Sequence, residues 1–233
     1  MPTPSLRCAV RSALTALVPL ALIGALTGPA QAAAPRTAAA WPDPVPVVTH
    51  VDTTDPVVFI TIDDGWNHDP AAQKLLLDRQ VPASLFLLPG AYAYDPEYFH
   101  TLLDHGRSRV ENHTVDHPDL TTLDAAGQKA EICGARDQDL AEFGDSPLLM
   151  RPPYGAYNDT TRTTARACGA EAVVTWTYDL TTWTDPVPVP RLKPGDIILM
   201  HFNGTVEQDL RRVLDAAAAA GLKPAPLREY IGG

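Results

Sequence analysis

The chain has 233 residues, 45% of them hydrophobic and 20% charged, which suits one soluble domain with a sizeable core. Its 18 basic and 28 acidic side chains give a formal net charge of −10, and the basic residues form no run or stripe. This distribution argues against nucleic acid and anionic lipid as partners, since both carry negative charge.

The first 32 residues have the layout of a secretory signal peptide. Arg7 and Arg11 precede an apolar stretch, Ala13 to Leu26, and Ala30-Gln31-Ala32 offers a small-residue cleavage site. A membrane anchor is the alternative, but the apolar stretch is shorter than the ~20 residues that a membrane span needs. We therefore expect secretion, cleavage after Ala32, and no membrane association of the mature chain. Its 16 basic and 28 acidic side chains leave a net charge of −12.

Residues 33–56, rich in Ala, Pro and Thr, are expected to form a linker and an irregular N-terminal segment. Residues 57–233 then alternate between strand and helix patterns. In chain order, the predicted strands are 57–62, 83–88, 109–112, 148–151, 172–176, 196–200 and 222–225. The predicted helices are 69–79, 96–105, 124–143, 160–167 and 205–220.

This alternation predicts a parallel α/β sheet with its helices outside, either an open sheet or a barrel. The first strand is a β-branched apolar run, as expected of a strand that is buried on both faces. About seven strands are predicted, so a barrel would be incomplete or distorted.

Two cysteines, Cys133 and Cys168, remain in the mature chain because Cys8 leaves with the signal peptide. Both are assigned to predicted helices. An exported chain with two cysteines is a candidate for one disulfide, and two buried free thiols are the alternative.

Polar clusters follow five of the predicted strands, each at the C-terminal end. They are Asp63-Asp64-Gly65, Asn112-His113-Thr114, Arg151-Pro152-Pro153-Tyr154-Gly155, Asp179 to Trp183, and His201. In parallel α/β architectures, the loops at this rim converge into a site. We therefore expect these clusters to lie close together.

Within these clusters, one carboxylate and two imidazoles suggest a metal site. Asp63 and Asp64 are adjacent and repel each other unless a cation lies nearby, although Asp-Asp-Gly alone is more often a helix cap or a turn. His113 and His117 are four apart, so both imidazoles can meet one ion, but an isolated His-x-x-x-His is weak evidence. Together they leave one coordination position open, which suits catalytic zinc or another divalent transition metal.

The same residues resemble the motifs of the polysaccharide deacetylase family, also described as the NodB-homology domain or carbohydrate esterase family 4. The resemblance extends from Val57 to Leu227, with the motifs in the family's order. The matching segments are Thr61-Ile62-Asp63-Asp64-Gly65, His113-Thr114-Val115-Asp116-His117, Arg151-Pro152-Pro153-Tyr154-Gly155 and Leu199-Met200-His201.

The resemblance implies an incomplete (β/α) barrel and a defined set of site residues. By the family's pattern, Asp64, His113 and His117 would hold the metal, which is expected to be Zn²⁺, with Co²⁺ or Ni²⁺ as alternatives. Asp63 would be the general base and His201 the general acid.

Further roles follow from the same resemblance. Arg151 would orient Asp63, and the backbone N–H of Tyr154 would help to stabilise the oxyanion of a deacetylation. The candidate substrate contacts are Trp183, Pro153, Trp66 and Leu199.

The chain departs from the family's Asp-x-x-Asp-Trp motif, which here reads Asp179-Leu180-Thr181-Thr182-Trp183. Thr182 stands where the family has the aspartate that pairs with the acid histidine. A partner carboxylate favours the charged imidazole and holds its orientation. We therefore hypothesise that His201 is a weaker acid at neutral pH, or that it pairs with Asp179 or Asp185.

The expected reaction is N-deacetylation of an N-acetylhexosamine polymer such as peptidoglycan or chitin, by a secreted enzyme that is a monomer. The alternatives are an O-acetyl esterase on acetylated xylan with the same site, and a non-catalytic glycan-binding relative. A serine hydrolase is excluded, because the nearest match to Gly-x-Ser-x-Gly, residues 106–110, lacks the second glycine. The expected partner is thus an acetylated polysaccharide or oligosaccharide.

Overall fold

The structure is a computed structural model that describes residues 44–185 and 187–231. The expected signal peptide, residues 1–32, and residues 33–43 of the expected linker lie outside the described residues. None of the helices in the described part of the chain is both long and apolar enough to cross a membrane.

Nine short strands form one parallel sheet that follows the order β1-β6-β5-β4-β3-β2-β8-β7, with β9 paired to the start of β2. Over the described residues, the end strands β1 and β7 do not pair with each other, so the barrel is incomplete, and this prediction is confirmed. The strands are β1 Val47–Val48, β2 Val57–Asp64, β3 Ser84–Leu87, β4 Arg109–Asn112, β5 Leu149–Met150, β6 Ala172–Val174, β7 Tyr178–Asp179, β8 Ile197–His201 and β9 Lys223–Pro224.

In the described part of the chain, six α-helices accompany these strands. They are α1 Pro70–Asp78, α2 Pro89–Tyr92, α3 Pro96–Asp104, α4 Ala125–Phe143, α5 Asp159–Ala167 and α6 Val206–Ala219. The side chains of Asp69, Asp124 and Asn158 accept backbone N–H groups at the first turns of α1, α4 and α5. Thr205 precedes α6 but makes no such bond, because its hydroxyl donates to the carbonyl of Thr182 instead.

The sheet begins ten residues before the expected domain boundary at residue 57. Val47 and Val48 of β1 pair with Val173 and Val174 of β6, and Val45 is fully buried beside them. The composition of this segment predicted a linker because the segment is rich in proline. Proline is, however, also compatible with an edge strand such as β1. Strands β1 and β7 and helix α2 escaped prediction because two to four residues carry too little periodicity.

Side chains of β2 alternate between the two faces of the sheet. One face packs beneath the helices, and the other faces the inside of the barrel. Val58, Ile60 and Ile62 belong to the core beneath the helices, while Phe59 packs in the inner core. Successive strand residues face opposite sides, so Asp63 faces inward with Phe59. Ile62, which replaces a phenylalanine of the family motif, therefore lies in the outer core and not in the site.

A disulfide joins Cys133 in α4 to Cys168 at the C-terminal end of α5, with the two Cα atoms 4.9 Å apart. Of the two alternatives for these cysteines, the structure has the bridge. Ile132 and Ala165 are buried in the same cluster, so the bond fixes two helices that already pack on the sheet.

Candidate active site

The strand ends bring the predicted site residues together on one rim of the barrel. Asp63 and Asp64 end β2, and His201 ends β8 directly opposite Asp63 in the register of the two strands. His113 follows the last residue of β4, and Arg151 follows the last residue of β5. The expected convergence of the polar clusters is therefore observed.

Asp64, His113 and His117 form a cluster whose potential ligand atoms all lie within 4.8 Å of one another. Oδ1 of Asp64 lies 3.4 Å from Nε2 of His113 and 3.7 Å from Nε2 of His117. This Oδ1 is buried, and no described group hydrogen-bonds to it. Two tetrahedral ligands at ~2.0–2.2 Å from one ion are themselves about 3.4 Å apart. The three residues therefore fit a divalent transition metal ion with a position left open.

The orientation of His113 is set by a backbone carbonyl. Its Nδ1 lies 2.8 Å from the carbonyl oxygen of Arg151. A carbonyl can only accept a hydrogen bond, so Nδ1 carries the proton and donates. Nε2 of the neutral ring is then left with its lone pair facing Asp64, as is typical of histidines that bind metals.

The loop that carries the two histidines has an unusual backbone, which α4 supports. Thr114 and His117 both have positive φ angles, 72° and 59°, a conformation that costs energy for residues other than glycine. Glu131 of α4 accepts the N–H groups of Val115 and Asp116 at 3.0 Å each. The helix thus stabilises the strained turn that places His117 beside His113.

Electrostatics at the cluster favour a bound cation. Burial alone would raise the pKa of Asp64, yet the neighbouring imidazoles, His113 first, hold that pKa below its ordinary value. Burial would lower the pKa of His113, but the carboxylates of Asp63 and Asp64 raise it. Burial and the nearby His113 lower the pKa of His117. Ionised Asp64 and neutral His117 are the protonation states that bind a metal.

Asp63 and Arg151 form a buried ion pair next to this cluster. Nη1 of Arg151 donates to Oδ1 of Asp63 at 2.6 Å and to Oγ1 of Thr61 at 2.9 Å. The guanidinium also lies over the ring of Phe86, 4.2 Å from its centre. Oδ2 of Asp63 is 3.7 Å from Nε2 of His113. Arg151 therefore holds one oxygen of Asp63 and leaves the other beside the metal cluster.

His201 pairs with a hydroxyl and not with a carboxylate. Its Nδ1 is 2.8 Å from Oγ1 of Thr181, so neither Asp179 nor Asp185 is the partner that we expected. Asp179 instead accepts the backbone N–H of Thr181 at 3.0 Å. The hypothesis of a borrowed carboxylate is therefore wrong, because Asp179 is occupied in holding the loop.

The hydroxyl of Thr182 points away from His201 and into a buried network. It donates to Oδ1 of Asp209 at 2.6 Å, while Arg212 donates to the same oxygen at 2.6 Å. Burial opposes the charge of Asp209, but the bonds from Thr182, Arg212 and Thr205 lower its pKa. The carboxylate of Asp209 thus bonds to Thr182, the neighbour of Thr181 in this loop.

A cavity of about 430 Å³ lies over these groups. Its walls include Trp183, which is 63% exposed and whose ring centre is 5.1 Å from that of His201. Leu199 lines the same cavity, as we expected of a substrate contact. Pro152 lines it in place of the expected Pro153, which begins the 3₁₀ turn Pro153–Gly155 where the chain changes direction.

Tyr154 also lines this cavity. Its φ of 59° is strained for tyrosine, and no carbonyl of the described chain accepts its N–H. Gly155 follows with a φ of 70°, and a Cβ there would lie 3.0 Å from the indole of Trp176. Glycine is therefore required for this turn to approach the tryptophan.

Trp66 was also expected to contact substrate, but it does not line this cavity. It lines a neighbouring cavity of about 420 Å³, which shares Asp64 and His117 with the first one. Trp66 therefore borders the metal side of the site and not the side of His201.

Sequence reasoning missed two residues of the acid side, Thr181 and Asp209. Thr181 could not be identified from the sequence, because β7 is too short to be predicted and its register with β8, which continues to place Thr181 opposite His201, is known only from the structure. No sequence signal pointed to Asp209 either, which reaches the loop from the first turn of α6.

The sequence pattern of the family described as polysaccharide deacetylase matches residues 50–173. An uncharacterised protein of Streptomyces coelicolor is 39% identical over 92% of this chain and 94% of its own length. A chitooligosaccharide deacetylase of Sinorhizobium fredii is 33% identical over 64% of this chain and 73% of its own. A family 4 carbohydrate esterase from Streptomyces lividans, solved with acetate, has a TM-score of 0.64 at 25% identity, covering 76% of this chain and 97% of that one. Because the family pattern covers more than half of the 233 residues, the chain belongs to the polysaccharide deacetylase family and is a hydrolase of that family.

Proposed function

We propose that the protein is a secreted, metal-dependent deacetylase that removes N-acetyl groups from an N-acetylhexosamine polymer such as peptidoglycan or chitin. The observation that carries this proposal is the buried cluster of Asp64, His113 and His117 directly beside Asp63. A divalent ion held by these three ligands would supply Lewis acidity towards the acetyl carbonyl and the attacking water.

Asp63 is the group placed to accept the proton of the attacking water. Its Oδ1 is engaged by Arg151, and its Oδ2 faces the cavity beside His113. The fixed guanidinium keeps the carboxylate from rotating, so the basic oxygen stays aligned. The free backbone N–H of Tyr154 is then available to stabilise the negative charge that develops on the acetyl oxygen.

His201 is placed to deliver the proton to the departing amine. Its Nδ1 is tied to the hydroxyl of Thr181, so the protonated ring donates there and directs Nε2 to the reacting group. The hydroxyl fixes the ring without adding charge, which a carboxylate partner would do.

Five features support the substrate class and the location. The exposed face of Trp183 suits the apolar C–H face of a sugar ring, and the net charge of −10 suits a neutral or amino-bearing glycan. The chitooligosaccharide deacetylase of Sinorhizobium fredii is named for such a substrate. Secretion is supported by the layout of residues 1–32 and by the Cys133–Cys168 disulfide, which an oxidising compartment favours.

O-deacetylation of acetylated xylan is the second candidate, and one observation favours it. His201 lacks a carboxylate partner, and an alkoxide leaving group depends less on a strong acid than an amine does. A non-catalytic glycan-binding protein is less well supported, because the base, the three ligands and the acid all meet at one cavity.

The proposal is tested by acetate release from N-acetylglucosamine oligomers, peptidoglycan and acetylated xylan, measured on the exported protein. We expect the oligomers or peptidoglycan to be the better substrates, a chelator to abolish turnover, and Zn²⁺ or Co²⁺ to restore it. His113→Ala should lose both metal and activity, whereas Asp63→Asn should keep the metal and lose about 10²–10⁴-fold in kcat. Turnover that survives chelation, or faster release from xylan, would overturn the proposal. Secretion predicts a mature N-terminus at Ala33, measured by N-terminal sequencing of the exported chain.

A further inference from the structure

We infer that His68 is a positioning residue for the metal ligand Asp64, on which it acts through the backbone carbonyl of Gly65. The inference rests on the proposed function, because it concerns the metal that this function requires. It adds to the site a histidine that neither belongs to the metal cluster nor lines one of the two cavities beside it.

Asp64 lies at the centre of a tight turn at the end of β2. The N–H of Gly65 donates to the carbonyl of Asp63 at 3.0 Å, and this bond closes the three-residue turn. The φ angle is 72° at Asp64 and 97° at Gly65. A positive φ costs energy in an aspartate, so the turn persists only where neighbouring groups hold it. The direction of the Asp64 carboxylate towards His113 therefore depends on how firmly this backbone is fixed.

Each carbonyl of this turn accepts a hydrogen bond from a neighbouring segment. The carbonyls of the two aspartates accept the N–H groups of Phe202 and Leu88, at 3.0 Å each, from the residues that directly follow β8 and β3. The carbonyl of Gly65 comes after the end of β2, and there Nε2–H of His68 donates at 2.9 Å. Among the described residues, no other group donates to this carbonyl. The imidazole thus fixes the one end of the turn that the sheet does not hold.

Three aromatic rings hold the imidazole of His68 in its orientation. Tyr94 and Tyr98 are stacked with it, with ring centres 4.7 and 4.9 Å from its own. The ring of Phe99 is perpendicular to it, with the centres 5.0 Å apart. Turning the imidazole away from Gly65 would break these contacts, so the donor is in place before a metal binds.

Only one of the two ring nitrogens of His68 has a hydrogen-bond partner among the described groups. Nδ1 is buried without one, and Oδ2 of Asp95 lies 3.5 Å from it. A carbonyl oxygen can only accept, so the proton that the ring donates to Gly65 is on Nε2. Burying an unpaired nitrogen costs free energy, which an apolar ring of the same size would avoid. The bond to Gly65 therefore explains an imidazole at this position, and packing alone does not.

The test measures the affinity of the metal-free protein for Co²⁺, followed by the visible absorption of the bound ion. We expect His68→Phe to raise the Kd by about tenfold, because the ring stays stacked but the carbonyl of Gly65 loses its donor. His68→Gln brings an amide N–H within reach of the same carbonyl and should keep the Kd within about threefold of the wild type. His100→Phe is the matched control. It also removes an imidazole that forms a hydrogen bond, here to Glu142, and should leave the Kd unchanged.

The melting temperature of the metal-free protein separates positioning from packing. A His68→Phe variant that melts earlier but binds Co²⁺ as tightly as the wild type would show that His68 only packs, and would overturn the inference. Equal losses of affinity in His68→Phe and His68→Gln would overturn it too, because the bond to Gly65 would then not be the cause.

A second pair of variants covers the case in which His68→Phe does not fold. His68→Asn carries the same amide as His68→Gln on a side chain that is one methylene shorter, so it should bind Co²⁺ about tenfold more weakly than His68→Gln. Equal binding by the two amides overturns the inference. Failure of the proposed function is distinct, because the wild type would then bind no Co²⁺ itself.

Discussion

The two sides of the catalytic cavity are built on different principles. On the metal side, Nε2 of His113 lies 3.4 Å from Asp64 and 3.7 Å from Asp63, and buried Arg151 pairs with Asp63. On the acid side, the hydrogen-bond partner of His201 is the neutral hydroxyl of Thr181.

The backbone differs between the sides as well. Three ligand-side residues, Asp64, Thr114 and His117, have positive φ angles without being glycine. Such strain persists where the surrounding structure over-determines it, and here β2, β4 and α4 supply that support. By contrast, Thr181 continues from β7 in ordinary register with β8.

The two sides of the cavity differ in where their carboxylates lie. The family motif implies a carboxylate next to the acid histidine, and here the carboxylate of Asp209 on α6 is bonded to Thr182 instead. The carboxylate of Asp209 thus stabilises the loop that carries Thr182 and does not pair with the imidazole of His201. We therefore expect substitutions on the metal side to cause large losses of activity, and substitutions on the acid side to cause smaller losses that depend on the replacement.

The largest effect is predicted for Arg151. Arg151→Lys keeps the charge but loses the fork that bonds Asp63, Thr61 and the carbonyl of Thr175. We expect kcat to fall by about 10²–10³-fold, because the base loses its fixed orientation. Acetate release and metal content check this, with metal content expected to stay unchanged. Activity within about threefold of the wild type would show that Asp63 does not need this partner.

A smaller effect is predicted for Asp209, as a change in stability. Its pKa is lowered in the folded chain, so the ionised carboxylate stabilises the fold above its ordinary pKa of about 3.9, and this contribution is lost as the pH falls further. We expect Asp209→Asn to lower the unfolding free energy by about 1.5–3 kcal/mol at pH 7 and by less below pH 4. Denaturant melts across this pH range measure the difference.

Asp215→Asn is the matched control for this prediction. Asp215 is also on α6 but is exposed, and its ion pair with Arg79 lies at the surface. Exposed pairs contribute about 0–1 kcal/mol, so this variant should change stability little at any pH. Equal losses in the two variants, or a loss for Asp209→Asn that does not depend on pH, would contradict the assigned network.

The smallest effect is predicted for Thr181. Thr181→Val keeps the shape but removes the hydroxyl that orients His201. We expect kcat on N-acetyl substrates to fall by about tenfold with KM nearly unchanged, since the ring still reaches the leaving group but is less well aligned. Hydrolysis of an aryl acetate, whose phenolate leaves without a proton, should change little. Thr181→Ser keeps a hydroxyl and should therefore retain the wild-type rate. A Thr181→Ser variant as slow as Thr181→Val would show that Thr181 contributes by packing and not by its hydroxyl.

Local patterns were sufficient for most of the fold and for the metal side. The strand and helix periodicities predicted the alternation of β2 to α6, with the caps of Asp69 and Asp124 marking two helix starts. The rule that polar residues gather at the carboxyl ends of parallel strands predicted that Asp64, His113 and His117 meet. These signals are strong because each depends on residues close in sequence or on one general property of parallel sheets.

Contacts between distant segments could not be derived in the same way. The partner of His201 depends on which of two adjacent threonines faces it, and a shift of one residue in an extended segment reverses that choice. The sequence motifs therefore indicated Asp179 or Asp185 as the partner of His201, which is wrong. Strand β1 was missed because the residues of β6 with which it pairs are 126 positions away in the chain.

Sequence alone specified the residue types at the strand ends, and from them the candidate metal ligands, the candidate base and the family. Only the tertiary structure decided that Asp209 holds the acid loop, that Pro152 and not Pro153 lines the cavity, and that Trp66 borders a second one. The physical reason is that side-chain direction and helix placement follow from packing over the whole domain, which local propensity does not encode.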